Sequence, residues 1–357
     1  MKIFDWYILK RYLLTFFLML MLFIPIGITV NLAEKIDRIL ENKVPFEEVT
    51  AYYLNFTIYF ANLLFPLFLF LSVIWFTSKL ANNTEVIAFL SSGVSFFRFL
   101  RPYFIGCTVI AIVALFLGMY SAPKASKGFN EFNYKYLKNK KAVKTQYIHQ
   151  QINDNEYIYV SNFDTKSMRG NNFTLEHFNG NKLKYKIHAT AISYIEKDSI
   201  YRLSNYYLRY IGKDNDSLIF KRRIDTLLGF DLLDLTPPKY VAETLNISEL
   251  SDFIEREEAR GSSNINRYKV VQYKKWSLPL SVYILTIIAV AVSSIKRRGG
   301  MGVNLAFGIV IAMVYVFFDK VFGVMAEQSD FSPLIAVWFP NFIFGILAVY
   351  LLFNAKR

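Results

Sequence analysis

Six stretches, residues 12–33, 51–78, 102–123, 276–295, 301–318 and 333–354, run without a single Lys, Arg, Asp or Glu. A bilayer core about 30 Å thick needs about 20 apolar residues as helix. Each stretch therefore reads as a membrane span, and the fifth extends naturally to Asp319 or beyond. The first is too long for the apolar region of a secretory signal and reads as a retained anchor. Composition agrees: 54% of the chain is hydrophobic and 19% charged, against about a quarter charged in soluble domains. So much apolar surface excludes disorder. Cys107 is the only cysteine, which excludes an intrachain disulfide framework and leaves a small packing residue.

The basic residues choose the orientation. With the N-terminus inside, the inner segments hold Lys2, Lys10, Arg11, Lys79, Arg98, Arg101, Lys296, Arg297, Arg298, Lys356 and Arg357, with only Asp5 and Glu85 as acids. The two short outer loops hold Lys35, Arg38, Lys43 and Lys320 among eight acids. Eleven against four predicts both termini inside and the long insertion, about 124–275, outside. The expected architecture is a polytopic α-helical membrane protein with six transmembrane helices and an extracytoplasmic all-β, jelly-roll-like domain between helices 3 and 4. Its parts are residues 1–123, with three spans and a short inner helix at about 82–93; 124–262, the β domain and a linker helix; and 263–357, with three more spans.

Within the insertion the apolar period falls to two. Lys182, Lys184 and Lys186 alternate with Leu183, Tyr185 and Ile187, as in a strand with one wet face. Asn179-Gly180-Asn181 predicts a hairpin turn after a strand at 173–175. Further strands are expected at 157–160, 192–195, 201–203, 206–211 and 217–220, with a turn at Lys213-Asp214-Asn215-Asp216 and an end near Pro237-Pro238. A helix then starts at Asn246 or Ser248, with Glu249 early, Arg256 and Arg260 late and Gly261 closing it.

The membrane stretches lack the buried ionisable groups that ion-coupled carriers use. His149, His177 and His188 all lie in the insertion, without metal-ligand spacing. No phosphate-binding Gly-x-x-x-x-Gly-Lys-[Ser/Thr] loop exists. No catalytic residue, metal, cofactor or nucleic-acid partner is expected. A drive must come from elsewhere, and the inner loop at 79–101 is the place to receive it. Asn83 or Thr84 can cap a short helix with Glu85 in its first turn, and Gly93 can end it. Val86, Ile87, Phe89 and Leu90 make that helix apolar. It either lodges in a cleft of a motor subunit, Glu85 pairing with an arginine there, or is an ordinary interfacial helix whose acid caps its own end.

These residues resemble the LptF/LptG family of lipopolysaccharide export permeases, the LptG branch more closely. The likeness begins at Phe4-Asp5-Trp6-Tyr7-Ile8-Leu9-Lys10-Arg11-Tyr12, where Trp6 stands in place of the usual arginine of an Asp-Arg-Tyr-Ile type signature. It continues through Asn82-Asn83-Thr84-Glu85-Val86-Ile87-Ala88-Phe89-Leu90-Ser91-Ser92-Gly93, Ala122-Pro123 and Lys275-Trp276-Ser277-Leu278-Pro279-Leu280-Ser281. It ends in Tyr315-Val316-Phe317-Phe318-Asp319-Lys320-Val321-Phe322-Gly323 and Trp338-Phe339-Pro340-Asn341.

The resemblance implies a permease subunit of the bacterial inner membrane, not an enzyme, paired with a second permease chain (LptF-like). It implies a cytoplasmic ATPase dimer (LptB-like) and periplasmic jelly-roll proteins (LptC/LptA-like) that receive lipopolysaccharide. Glu85, with Thr84, Ser92 and Gly93 around it, would couple to the ATPase, and the first and fifth spans would form a lateral interface with the partner chain. Lipid phosphates call for cations at the outer level. Lys35 and Arg38, then Lys124 and Lys127, lie there, each equally readable as an interface anchor. Asn31 occupies the place where LptG members often carry a basic residue. Two other readings compete: a membrane enzyme acting on a lipid-linked sugar or phosphate through the acids of residues 34–48, and a scaffold whose outer domain only binds protein.

Overall fold

The computed structural model describes residues 3–137, 144–164, 167–195, 200–212, 215–228, 230, 240–262, 264–296 and 300–355. Lys2, Arg297, Arg298, Lys356 and Arg357, the Lys213-Asp214 half of the expected turn, and Pro237-Pro238 lie outside the described residues.

Among the described residues, six helices are long and apolar enough to cross a membrane. They are α1 (Ile3–Glu41), α2 (Phe46–Asn82), α4 (Phe96–Phe116) with its continuation, α8 (Ile265–Ser293), α9 (Gly300–Gln328) and α10 (Pro333–Asn354). The short α3 (Glu85–Ser91) joins α2 to α4. The third span runs on through a π-helical turn (Leu117–Ser121), α5 (Ala122–Phe132) and a second π-helical turn (Asn133–Leu137). All six expected spans are present. Their helices outrun the apolar stretches because charged residues near the helix ends find partners. Asp319 of α9, for example, accepts from Lys274 of α8 at 2.8 Å. Lys275 donates to the carbonyl of Gly118 in the first π-helical turn and to that of Leu245, at 3.1 Å each.

Among the spans α8 is the most deeply buried and α1 the least. Ile8, Tyr12 and Phe16 of α1, Leu69, Phe70, Val73 and Ile74 of α2, Phe99 and Tyr103 of α4 and Val282, Ile288 and Ala289 of α8 share one core.

The inserted unit is a six-stranded antiparallel sheet in chain order: β1 (Lys144–Asn153), β2 (Glu156–Asp164), β3 (Arg169–Asn179), β4 (Lys182–Ile195), β5 (Ile200–Tyr210) and β6 (Ser217–Thr226). The all-β domain stands as expected, and its described strands follow a meander. One core joins Val160 and Phe163 of β2, Phe173 of β3, Ala189 and Ile192 of β4 and Leu203 of β5. The stretches read separately at 182–187 and 192–195 form the single strand β4, since pairing with β3 and β5 continues in one register through His188 and Ala191. β5 likewise runs through Ser204-Asn205 although Asn205 takes a left-handed φ of 49°. The expected hairpin joins β3 to β4 with Gly180 at φ 59°.

After α6 (Val241–Thr244), α7 (Ile247–Ala259) opens on a reciprocal cap. The Asn246 side chain accepts from the Glu249 amide at 2.9 Å, and Glu249 accepts from the Asn246 amide at 3.0 Å. Gly261 at φ 65° closes it.

Candidate functional site

The junction of the second and third spans is the first cluster. α2 ends at Asn82, and α3 begins at Glu85 after two linking residues, the second of them Thr84 at φ 62°. A β-branched residue seldom adopts that conformation, and strain of this kind costs about 1–3 kcal/mol. The expected side-chain cap is not formed. Thr84 Oγ1 donates to the Asn83 carbonyl at 2.6 Å, and the Asn83 amide turns to Glu85 Oε1 at 3.2 Å. Gly93 closes the turn after α3 at φ 83°, and Ser95 caps α4 by accepting from the Arg98 amide at 3.3 Å. Left-handed residues thus flank seven helical residues on both sides.

On α3, Val86 is buried and Phe89 turns inward. The Phe89 ring stacks on Phe4 of α1 at 4.0 Å and 13°, and meets Phe99 of α4 at 5.9 Å. Ile87, 52% exposed, lies on the outer side with Ala88, Ser91 and Ser92. Glu85 is half-buried, and its Oε2 accepts from the Tyr7 hydroxyl of α1 at 3.2 Å. Thr84 and half-buried Glu85 thus stand at one end of α3 and exposed Ser92 and Gly93 at the other, beside the N-terminal end of α1.

Only glycine holds φ 83° at no steric cost. A Cβ on Gly93 would meet nothing within 4 Å. Gly93→Ala should cost about 1 kcal/mol through backbone strain alone. Hydrogen exchange should read this as faster exchange of the α3 amides, with the spans unchanged.

The second cluster lies at the other end of α1. Lys35 Nζ donates to the Tyr52 hydroxyl at 2.9 Å and to Asn133 Oδ1 at 3.1 Å. Tyr52 passes its own proton on to Asn31 Oδ1 at 3.0 Å. The Lys35 ammonium also stands 5.4 Å from the Phe129 ring centre, within cation–π range. The second π-helical turn leaves carbonyls outside the helical ladder. Arg38 donates to that of Leu137 at 2.7 Å and Asn42 to that of Tyr136 at 2.9 Å. Asn31, Lys35 and Arg38 are thus brought together, and they tie α1 to α2 and to the end of the third span. Lys124 and Lys127 stand exposed on α5, with no hydrogen bond or ion pair among the described residues.

Sequence reasoning missed Tyr52 and Asn133, which join Lys35 from 17 and 98 residues away. It also counted Asp5 and Arg98 only as loop charges, although they form a bidentate pair at 2.7 Å.

The family model for the lipopolysaccharide export system permease LptF/LptG matches residues 6–354. The chain belongs to the LptF/LptG family. Members of this family are the permeases of the Lpt ABC system; they are non-catalytic, and a partner subunit hydrolyses ATP. This LptF/LptG permease is therefore a multi-pass membrane protein of the lipopolysaccharide export pathway. No curated protein matches the chain.

Proposed function

We propose that this chain is the LptG-like half of a paired permease that lifts lipopolysaccharide out of the inner membrane. A cytoplasmic ATPase dimer docks on the ledge around α3 and drives it. Glu85 pairs there with an arginine of the ATPase, while Thr84, Ser92 and Gly93 shape the turns that present it. The lipid passes through the inserted β domain to a periplasmic jelly-roll relay. The excess of basic residues on the loops sharing a side with α3 supports N- and C-termini in the cytoplasm and the β domain in the periplasm. The thinly packed faces of α1 and α9, the two least buried spans, suit a lateral interface with the second permease chain and with lipid. Exposed Lys124 and Lys127 supply cations for phosphorylated headgroups.

The observation that carries this reading is the presentation of Glu85. It is the only acid on α3, held by Tyr7 and Asn83 beside the exposed Ile87. In the assembled complex, Glu85→Ala should lower ATP-driven lipid release at least about tenfold, the scale of one lost charge-assisted hydrogen bond. The permease should still fold and assemble. Undiminished release would remove Glu85 from the coupling step.

A further inference from the structure

The start of α1 carries three side chains that reach its neighbours at this junction, Phe4 and Tyr7 toward α3 and Asp5 toward α4. Asp5 is 2% exposed, and each of its carboxylate oxygens accepts from one terminal nitrogen of Arg98 at 2.7 Å. Arg98 lies in the first turn of α4, so this pair ties the starts of two spans together across 93 residues of sequence. A bidentate fork fixes orientation as well as distance, which a lysine in that place would not. On either side of Asp5, Phe4 stacks on Phe89, and Tyr7 donates to Glu85. The Arg11 guanidinium covers the Tyr7 ring at 4.7 Å and holds it in place. Both backbone connections of α3 pass through left-handed residues, Thr84 and Gly93. The helix is hinged along the chain but clasped from the side.

We propose that Phe4, Asp5 and Tyr7 are positioning residues that join α3 and the starts of α1 and α4 into one moving block. A displacement imposed on α3 then passes straight to the first span. The proposal rests on the reading that the ATPase docks at α3, and it names the receiving element. That element is α1, a 39-residue helix with Pro25 in its interior and little of its apolar face packed against the chain. Rigid contact at one end and sparse packing along its length are what a lever requires. Pro25 removes one helical hydrogen bond and marks where it can bend.

The test uses the complete complex in proteoliposomes, with Cys107→Ser as background. Phe4→Cys and Phe89→Cys are introduced together and joined by a short bifunctional, reducible thiol reagent. ATP-driven lipid release is compared before linking, after linking and after reduction. A block that moves as one should release lipid equally well linked and reduced. Tyr7→Phe, which removes a single hydroxyl, should lower lipid released per ATP hydrolysed about tenfold. A purely structural contact would change yield or stability and leave that ratio alone. Linking that stops release, with reduction restoring it, would mean α3 must leave α1 and would overturn the proposal. So would an unchanged ratio in Tyr7→Phe. Glu85→Ala is run beside them: if it leaves release intact, the docking reading itself has failed, whereas loss in Glu85→Ala with arrest on linking condemns only the clasp.

Discussion

Gly106→Leu is expected to abolish the docking of the first span against the third. An ideal Cβ at Gly106 would overlap two ring carbons of Tyr12 and lie 3.1 Å from a methyl of Leu9. Tyr12 is fully buried, and its ring leans on Tyr103 at 5.8 Å. Tyr103 is itself fixed by a 2.9 Å hydrogen bond with Thr77 of α2. The ring thus has no space into which to retreat. Overpacking by one or two carbons costs about 1–3 kcal/mol. Leucine adds four, so the helices must part. Gly106→Ala should lower the thermal midpoint in detergent, and Gly106→Leu should leave little folded protein on size exclusion. Gly302→Ala is the control. It lies in α9 with nothing within 4 Å of the added carbon, and should stabilise by about 0.5–1 kcal/mol through helix propensity.

Nothing in the sequence around Gly106 marks that notch. Gly106 is one small residue in an apolar run, and nothing local says that Tyr12 faces it. The spans themselves were legible because bilayer thickness imposes a length, and a missing charge over that length has few other causes. The start and stop of α7 were legible too. Asn246, Glu249 and Gly261 act within one or two turns of themselves, so their chemistry is written where it operates.

β1 is not legible in the sequence because its polar residues, Gln146, Gln150, Gln151 and Asn153 among them, dilute the alternation around Ile148 and Ile152. Pairing with β2 supplies what its own pattern lacks. The ledge at 82–93 could be placed, since Glu85 and Gly93 are conspicuous in an apolar segment. Its grip could not. Asp5–Arg98 and Tyr7–Glu85 join residues 93 and 78 positions apart, and only the packing of α1 beside α4 selects them from all other charged and aromatic pairs.

The same reasoning divides the five polar residues Asn31, Lys35, Arg38, Lys124 and Lys127 into two groups with opposite expected behaviour. Lys35→Met should destabilise the helical unit. It removes two hydrogen bonds from a half-buried ammonium and the cation above Phe129, and leaves the Tyr52 hydroxyl and Asn133 carbonyl without their donor. Allowing for screening by nearby solvent, the loss is about 2 kcal/mol. It should appear as a lower thermal midpoint and faster hydrogen exchange at 133–137. Lys124→Ser with Lys127→Ser removes two exposed charges that hold nothing in place, so stability should stay within about 0.5 kcal/mol. On the proposed function those two cations meet lipid phosphates, and the double variant should retain roughly threefold less lipopolysaccharide through purification, the scale of exposed ion pairs. Loss of lipid in Lys35→Met at unchanged stability would instead make that ammonium a ligand. The clamp of α1 would then rest on Arg38 and Asn42, which hold the freed carbonyls of Leu137 and Tyr136. What separates the groups is whether the chain has already satisfied the charge. An ammonium with two oxygens and a ring around it has little left to offer a phosphate, and one with none has its full donor capacity free.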